Sequence, residues 1–456
     1  MISQDSEAGS QQHPASMPST ISDWRRTPEI ILANIFTKLP VLDRMRAAEV
    51  CREWKRASYH PLVWQSFDYG VTELYDLDTW EMPDLRISDS ASDHQLYIKC
   101  VCDYGEVFSR VHIVLHNSRS FEVFNEVAEE CENLRSVKIV RHELSLEFPE
   151  SFSRLLLFFL TGNRLLEEIS LEGITVFKER PTLPIPIGPA YAKTLKRLSF
   201  INSFRQNNMS PLMYLVNLQE FTISPELIRF GVLMHLAKAS LHTLNLVAKP
   251  GMWEFDCKNL KDDQWKMITE ASNCRLKINC YLIDTYECSG ILLSAMPVVK
   301  LVVCRSMHFN YSLVVQMLQS YRTTLTTFID FSLAEEVYKT EPDTAVDDSI
   351  ITIVQSCPKL TTLTIKDCLH SSTVLLMAQL NTNLRDILIR EDMVRYVLHI
   401  PETLVSLGEE MKSFTEQNYA KDKFEGAMSQ LLQCKWHVLS KRDYHMILMS
   451  RYASFS

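Results

Sequence analysis

Cys100 and Cys102, with His94, His112 and His116 nearby, are the residues whose types and proximity could hold a metal ion. Thiolate and imidazole are favoured zinc donors, yet this Cys-Val-Cys spacing fits no familiar ligand pattern. The remaining cysteines, of 12 in all, are scattered with no C-x-x-C, and most sit in apolar segments where a free thiol behaves as a small hydrophobe. Buried thiols and ordinary surface histidines are the reading, so no metal ligand is assigned. Phosphate chemistry has no better footing. Glycine is scarce, 11 in 456 residues, and neither a GxGxxG nor a GxxxxGK[ST] loop occurs. No G-x-S-x-G elbow and no HExxH helix is present. No catalytic residue and no cofactor follow from these motifs.

The chemistry that does stand out is docking by apolar side chains. Residues 24–64 read WRRTPEIILANIFTKLPVLDRMRAAEVCREWKRASYHPLVW. Thr27-Pro28-Glu29 is a helix start, with a hydroxyl to cap, proline at the first helical position and an acid in the first turn. Leu32, Ile35, Phe36 and Leu39 follow at helical spacing. Asp43 can cap a second helix, and Val50, Cys51 and Trp54 lie along a third apolar stripe that Pro61 ends. A unit this small cannot bury so many large side chains internally, and a protein partner is the usual remedy.

This order, from Trp24 through Pro28, Ile31-Leu32, Ile35-Phe36, Leu39-Pro40, Asp43, Val50-Cys51 and Trp54 to Leu62-Val63-Trp64, resembles an F-box. The usual leucine before the proline is Thr27 and the usual acid two residues after it is Ile30, departures that bear on adaptor affinity. The resemblance implies an adaptor-binding set of Trp24, Pro28, Ile31, Leu32, Ile35, Phe36, Leu39, Val50, Cys51, Trp54, Leu62 and Trp64. Residues 24–69 carry eight Lys/Arg and five Asp/Glu, a local net of +3 in a chain of −9, which suits an acidic partner.

The rest of the chain repeats a phrase of apolar residue, two variable, apolar, one variable, apolar. It appears as Leu134/Val137/Ile139, Leu166/Ile169/Leu171, Leu195/Leu198/Phe200, Leu218/Phe221/Ile223 and Leu241/Leu244/Leu246. It returns as Val298/Leu301/Val303, Leu360/Leu363/Ile365 and Leu384/Ile387/Ile389. Near Leu276 the register slips to Ile278, Cys280 and Leu282, and after Leu325 and Phe328 the third slot is Asp330. The ten starts from 134 to 384 average about 28 residues apart, at the long end for leucine-rich repeats of strand plus helix. Helical patterns fill the intervals at 151–163, 225–240, 262–273, 311–322, 347–355 and 372–381.

The expected fold class is therefore α/β, a small three-helix F-box followed by a leucine-rich-repeat solenoid with a helical C-terminal cap. Its divisions are a disordered leader (1–22), the F-box (23–69), degenerate first repeats or a linker (70–130), the repeats (131–400) and the cap and tail (401–456). Within 70–130, Phe108/Val111/Ile113 reads as a degenerate strand, as does Trp64/Phe67/Tyr69 just before it. The acidic run from Glu335 to Asp348 reads as a solvated loop, and the aromatic, methionine-rich end as a cap over the last repeat rather than a ligand arm.

No run of 18 apolar residues and no signal-peptide pattern occurs, so no membrane is expected and the location is cytoplasmic or nuclear. The pI near 5.9 and the lack of a basic stripe argue against nucleic acid. An F-box joined to such a solenoid resembles the substrate receptors of cullin-RING ubiquitin ligases. That resemblance implies a Skp-type adaptor, a cullin scaffold, a RING subunit and a protein substrate as partners, with no chemistry done by the receptor itself. Substrate contact would fall on variable strand positions, among them Arg197, Ser199, Glu220, Thr222, Thr243, Asn245, Thr362, Thr364 and Arg385. The alternative is a repeat scaffold that binds partners without directing ubiquitin transfer.

Overall fold

The structure is a computed structural model, and it describes residues 27–70, 90–141, 151–174, 187–201, 209–248, 260–283, 291–304, 311–331, 343–400 and 408–452. The leader and Trp24 lie outside these residues. The chain divides into two units at Trp64/Gln65, inside the expected 23–69 span.

The first unit holds α1 (Glu29–Phe36), α2 (Val41–Ala47), α3 (Arg52–Ser58) and a closing 3-10 turn, Pro61–Trp64. Its caps differ from the sequence expectation. Pro28 itself is the N-cap of α1, with no side-chain cap bond, because its fixed φ lets the chain enter the helix directly. Pro40 plays the same part for α2, so Asp43 sits in the first turn and pairs with Arg46 at 3.2 Å. Cys51 caps α3, its Sγ accepting the N–H of Trp54 at 3.5 Å. Val50 lies before that helix and not on its apolar stripe.

Among the described residues, the second unit is built on a twelve-stranded, wholly parallel sheet in sequence order. Its strands are β1 (Ser66–Tyr69), β2 (Arg110–Leu115), β3 (Ser136–Arg141), β4 (Glu168–Glu172), β5 (Arg197–Ile201) and β6 (Glu220–Ile223), then β7 (Thr243–Ala248), β8 (Lys277–Ile283), β9 (Val298–Cys304), β10 (Thr327–Phe331), β11 (Thr362–Thr364) and β13 (Asp386–Leu388). A two-stranded parallel pair, β12 (Leu369–His370) and β14 (Val394–Arg395), stands apart. Every repeat phrase supplies a strand, and β1 and β2 extend the same ladder. Strict pairing with the next repeat alone is what a solenoid is.

Between strands run α4 (Ala91–Tyr104), α5 (Ser118–Glu130), α6 (Phe152–Gly162), α7 (Phe230–Ala239), α8 (Asp262–Ala271), α9 (Tyr311–Tyr321), α10 (Thr344–Ser356) and α11 (Ser371–Leu380). Asn117 and Ser120 form a reciprocal capping box that fixes the start of α5. The inward slots, such as Val137, Ile139, Leu198, Phe200, Leu244 and Leu363, are fully buried. Each contributes about 1.5–3 kcal/mol at most by leaving water.

The slip expected near Leu276 is found one strand later. Ile278 pairs with Val298 but Asn279 with Lys300, leaving Val299 as the extra, bulged residue. The acidic run is not loop to its end: Asp343 caps α10, and Asp347 in its first turn is buried. Three helices follow, α12 (Glu409–Asn418), α13 (Lys421–Leu432) and α14 (Lys441–Tyr452), of which α12 and α13 pack on α11.

Candidate functional site

In the first unit, Leu32, Phe36 and Trp64, expected to dock a partner, form the unit's own core. Phe36 meets Trp54 edge-on at 5.3 Å, and the Trp64 indole donates to the Ser58 carbonyl at 2.6 Å. Arg44, which the apolar pattern could not flag, is buried among them. Its guanidinium donates to the carbonyls of Leu39 at 2.7 Å, Val63 at 3.0 Å and Thr37 at 3.4 Å, so one side chain ties the ends of two helices to the closing turn.

The other residues of the set are open or half-open. Ile31, Ile35 and Val50 are 48%, 40% and 64% exposed, and Ile30 and Tyr59, absent from the expected set, are 45% and 60% exposed. Pro28 is exposed, while Leu39, Cys51, Trp54 and Leu62 are half-buried. Ile30, Ile31 and Ile35 lie on α1, and Ile31 and Ile35 are one turn apart. Ile30, Ile31 and Ile35 thus leave an apolar patch open along one short helix.

In the second unit, the strand face opposite the inward slots has two rows. The first is polar: Asp68, His112, Lys138, Ser170, Ser199, Thr222, Asn245 and Asn279 are register partners across β1 to β8. Arg197, Glu220 and Thr243 widen this polar band one step earlier along the strands, so the sheet brings six of the nine expected contact residues together. Thr362, Thr364 and Arg385 are on or beside later strands. The face is not simply solvated. Asn245 donates to the Glu220 carboxylate at 2.7 Å and the Thr222 hydroxyl at 3.0 Å, and Asn279 donates to Asn245 at 2.8 Å. Thr222, Asn245 and Thr364 are buried, and Arg197 is paired with Glu168 at 2.8 Å.

The second row is apolar. Val247, Tyr281, Val302 and Ile329 are register partners across β7 to β10. They are buried together with Ile201, Ile283, Cys304, Phe331 and Leu388 by three residues of the chain's own end, Leu439, Tyr444 and Leu448. The segment before α14 reaches them by joining the sheet edge. Leu439 donates its N–H to the Ile389 carbonyl at 3.0 Å and accepts that of Glu391 at 2.9 Å, while the Trp436 indole donates to the Ile387 carbonyl at 2.8 Å. The chain's end therefore folds onto the face expected for substrate, with Tyr444 and Leu448 one helical turn apart.

The residues considered for zinc are held otherwise. His94 is buried in α4 with Nε2 2.9 Å from a Glu122 oxygen, and is no surface histidine. Cys100 is buried, whereas Cys102 is exposed and donates weakly to Glu126 at 3.7 Å. His112 stands in the polar row beside Asp68 at 3.9 Å, and burial, then Lys138, pushes its pKa down to about 3. His116 lies with Nδ1 3.1 Å from the Val114 carbonyl. Among the described residues these five do not converge on one point. No described helix is long and apolar enough to cross a membrane.

Comparison with known proteins places residues 24–69 in the F-box-like family. F-box/LRR-repeat protein 21 of Bos taurus is 34% identical over 57 residues, 12% of this chain and 13% of that protein. The Mus musculus protein of the same name is 34% identical over 55 residues, again 12% and 13%. The match thus spans about 13% of the length of these relatives. A solved structure of a yeast Rad7 and Elc1 complex aligns over 86% of this chain and 96% of its own at 15% identity, with a TM-score of 0.37.

Proposed function

From an F-box-like domain set ahead of a leucine-rich-repeat solenoid, we propose that this chain is the substrate-recognition subunit of a cullin-RING ubiquitin ligase. The first unit docks on a Skp-type adaptor, which brings the cullin and RING subunits. The repeat unit holds a protein substrate, in the cytoplasm or nucleus, while ubiquitin is transferred by the conjugating enzyme that the RING subunit recruits. The receptor's contribution is then effective concentration and orientation, not bond chemistry.

The observation that carries the reading is the open apolar surface of α1: Ile30, Ile31 and Ile35 exposed on the helix whose opposite side, Leu32 and Phe36, is core. The basic balance of residues 24–69 favours an acidic partner there.

Co-purification with a recombinant Skp-type adaptor and cullin tests it, comparing the full chain with a Pro28→Ala/Ile35→Asp variant. Binding of both partners by the wild type and their loss in the variant, with unchanged circular dichroism, supports docking. Failure of the wild type to bind removes the ligase reading. Ubiquitin transfer to proteins captured by the wild-type complex separates a receptor from a scaffold, which would assemble but show no transfer.

A further inference from the structure

A buried carboxylate and two imidazoles converge at the far end of the second unit, away from the strand rows described above. Asp347 lies in the first turn of α10 and is fully buried. His370 closes β12, and His399 lies on the segment after β14. His370 Nδ1 is 2.6 Å from one Asp347 oxygen, and the other oxygen accepts the backbone N–H of His370 at 3.3 Å. The two imidazole rings are 4.8 Å apart between centres. One ligand atom from each residue lies within 4.8 Å of those of the other two.

Hydrogen bonding explains only part of this. Asp347 and His370 satisfy each other, but His399 Nε2 is buried with no hydrogen-bond partner among the described residues. An unmet buried polar atom is costly, and here it is an atom that binds metals. The backbone that carries the ring is also fixed. Ser372 Oγ accepts the His399 N–H at 2.8 Å and donates to the His399 carbonyl at 2.6 Å, so one hydroxyl fixes the backbone on both sides of the ligand.

We propose that Asp347, His370 and His399 bind one divalent transition-metal ion of the zinc class. Two imidazoles and a carboxylate are a borderline donor set that suits zinc, whereas magnesium and calcium take oxygen ligands. Zinc bonds of about 2.0–2.2 Å set neighbouring tetrahedral donors roughly 3.3 Å apart. Binding therefore opens the Asp347–His370 contact slightly while drawing in His399, with water completing the shell. The ion would cross-link α10, β12 and the segment leading to the terminal helices, a structural clasp on the last repeats. No sequence motif announces it, because its three ligands come from distant segments and the nearest acidic run reads as loop.

The test uses the full chain stripped of metal with a chelator and titrated with Co²⁺, then with Zn²⁺. The expected result is one equivalent of Co²⁺ giving visible ligand-field absorption, displaced by Zn²⁺. His399→Ala, at a partly exposed side chain, should keep the wild-type circular dichroism and bind at least about tenfold more weakly. His399→Cys should restore binding with a new thiolate-to-cobalt charge-transfer band, which a merely structural role for His399 would not produce. His437→Ala, at an exposed histidine, should match the wild type. Equal Co²⁺ absorption in the wild type and His399→Ala means an adventitious ion only, and absence of binding by the wild type likewise overturns the site.

Discussion

Lys366 Nζ stands 3.5 Å from Asp330 Oδ1, with 4% and 0% of the two side chains exposed. Asp330 occupies the third inward slot of its repeat, where the phrase calls for an apolar residue, and the cation comes from just beyond the next strand. Removing one member of a buried pair costs about 3–5 kcal/mol, whereas replacing both with apolar residues is often neutral. Asp330→Leu and Lys366→Met should each lower stability by that amount in urea unfolding, and the double variant should recover most of it. Additive losses would show that the two charges are not coupled.

Ile35 and Phe36 are chain neighbours with opposite tasks. Phe36→Ala empties core and should cost about 3–5 kcal/mol. Ile35→Asp changes an exposed position and should move stability by less than about 0.5 kcal/mol while abolishing adaptor capture. Thermal unfolding and pull-down on the same two proteins check both halves. A destabilised Ile35→Asp would mean that the surface belongs to the fold and not to a partner.

Acid sensitivity should be set by two histidines. Burial lowers His112 to about 3 and His445 to about 4 from 6.5. Both are neutral in the fold, so the unfolded chain takes up protons first. Their contribution is complete above pH 6.5 and is lost as pH falls toward 4 and then 3. Each adds a slope of at most about 1.4 kcal/mol per pH unit. Glu226 acts in the opposite sense, since burial lifts its carboxyl from 4.5 to about 7 and its contribution fades as pH rises through that range. His112→Gln should flatten the acid limb of the stability curve and Glu226→Gln the neutral limb, read by urea midpoints from pH 4 to 8.

Surface charge should matter little by comparison. Glu167 is flanked by Arg135 and Lys196, each at 2.7 Å, and their hydrogen bonds hold its carboxyl below the usual range. Arg135 and Lys196 are exposed and Glu167 lies between them at the surface, where such pairs contribute little and are screened by salt. Glu167→Gln should leave the unfolding midpoint nearly unchanged at 0.15 M salt, and a large drop would require a role that its solvent position does not suggest.

The repeat phrases made the strands legible because the inward slots are apolar in nearly every copy, Asp330 being an exception. They even reached Phe67 and Val111, which lie in β1 and β2. The exposed and the buried apolar residues of the first unit were legible only as one set. Apolar periodicity marks both Phe36 and Ile35, and nothing in spacing tells which one turns inward once three helices pack. Arg44 was invisible for the converse reason, since its burial rests on three carbonyls that only the folded chain assembles. The same holds for Val247, Tyr281 and Ile329. Alternation marks them as outward, and only the return of the C-terminal segment makes outward mean buried.

That return supplies the sharpest test of what the strand face is for. Tyr444 and Leu448 are fully buried against Tyr281, Val302 and Ile329, each side chain leaving water at about 1.5–3 kcal/mol. Ending the chain after Ser440 uncovers a row of large apolar residues on a sheet face, a patch of the kind that aggregates or binds. The truncated protein should bind a hydrophobic dye and lose solubility, while keeping its α11–α13 packing and most of its helical circular dichroism. Tyr444→Ala should give a milder form of the same defect, with a stability loss of about 3–5 kcal/mol. A truncated chain that stays monomeric and dye-free would mean that the helix is a loosely held occupant. The face beneath it would then be open to a substrate, and capture of ligase targets should rise with the truncation rather than fall.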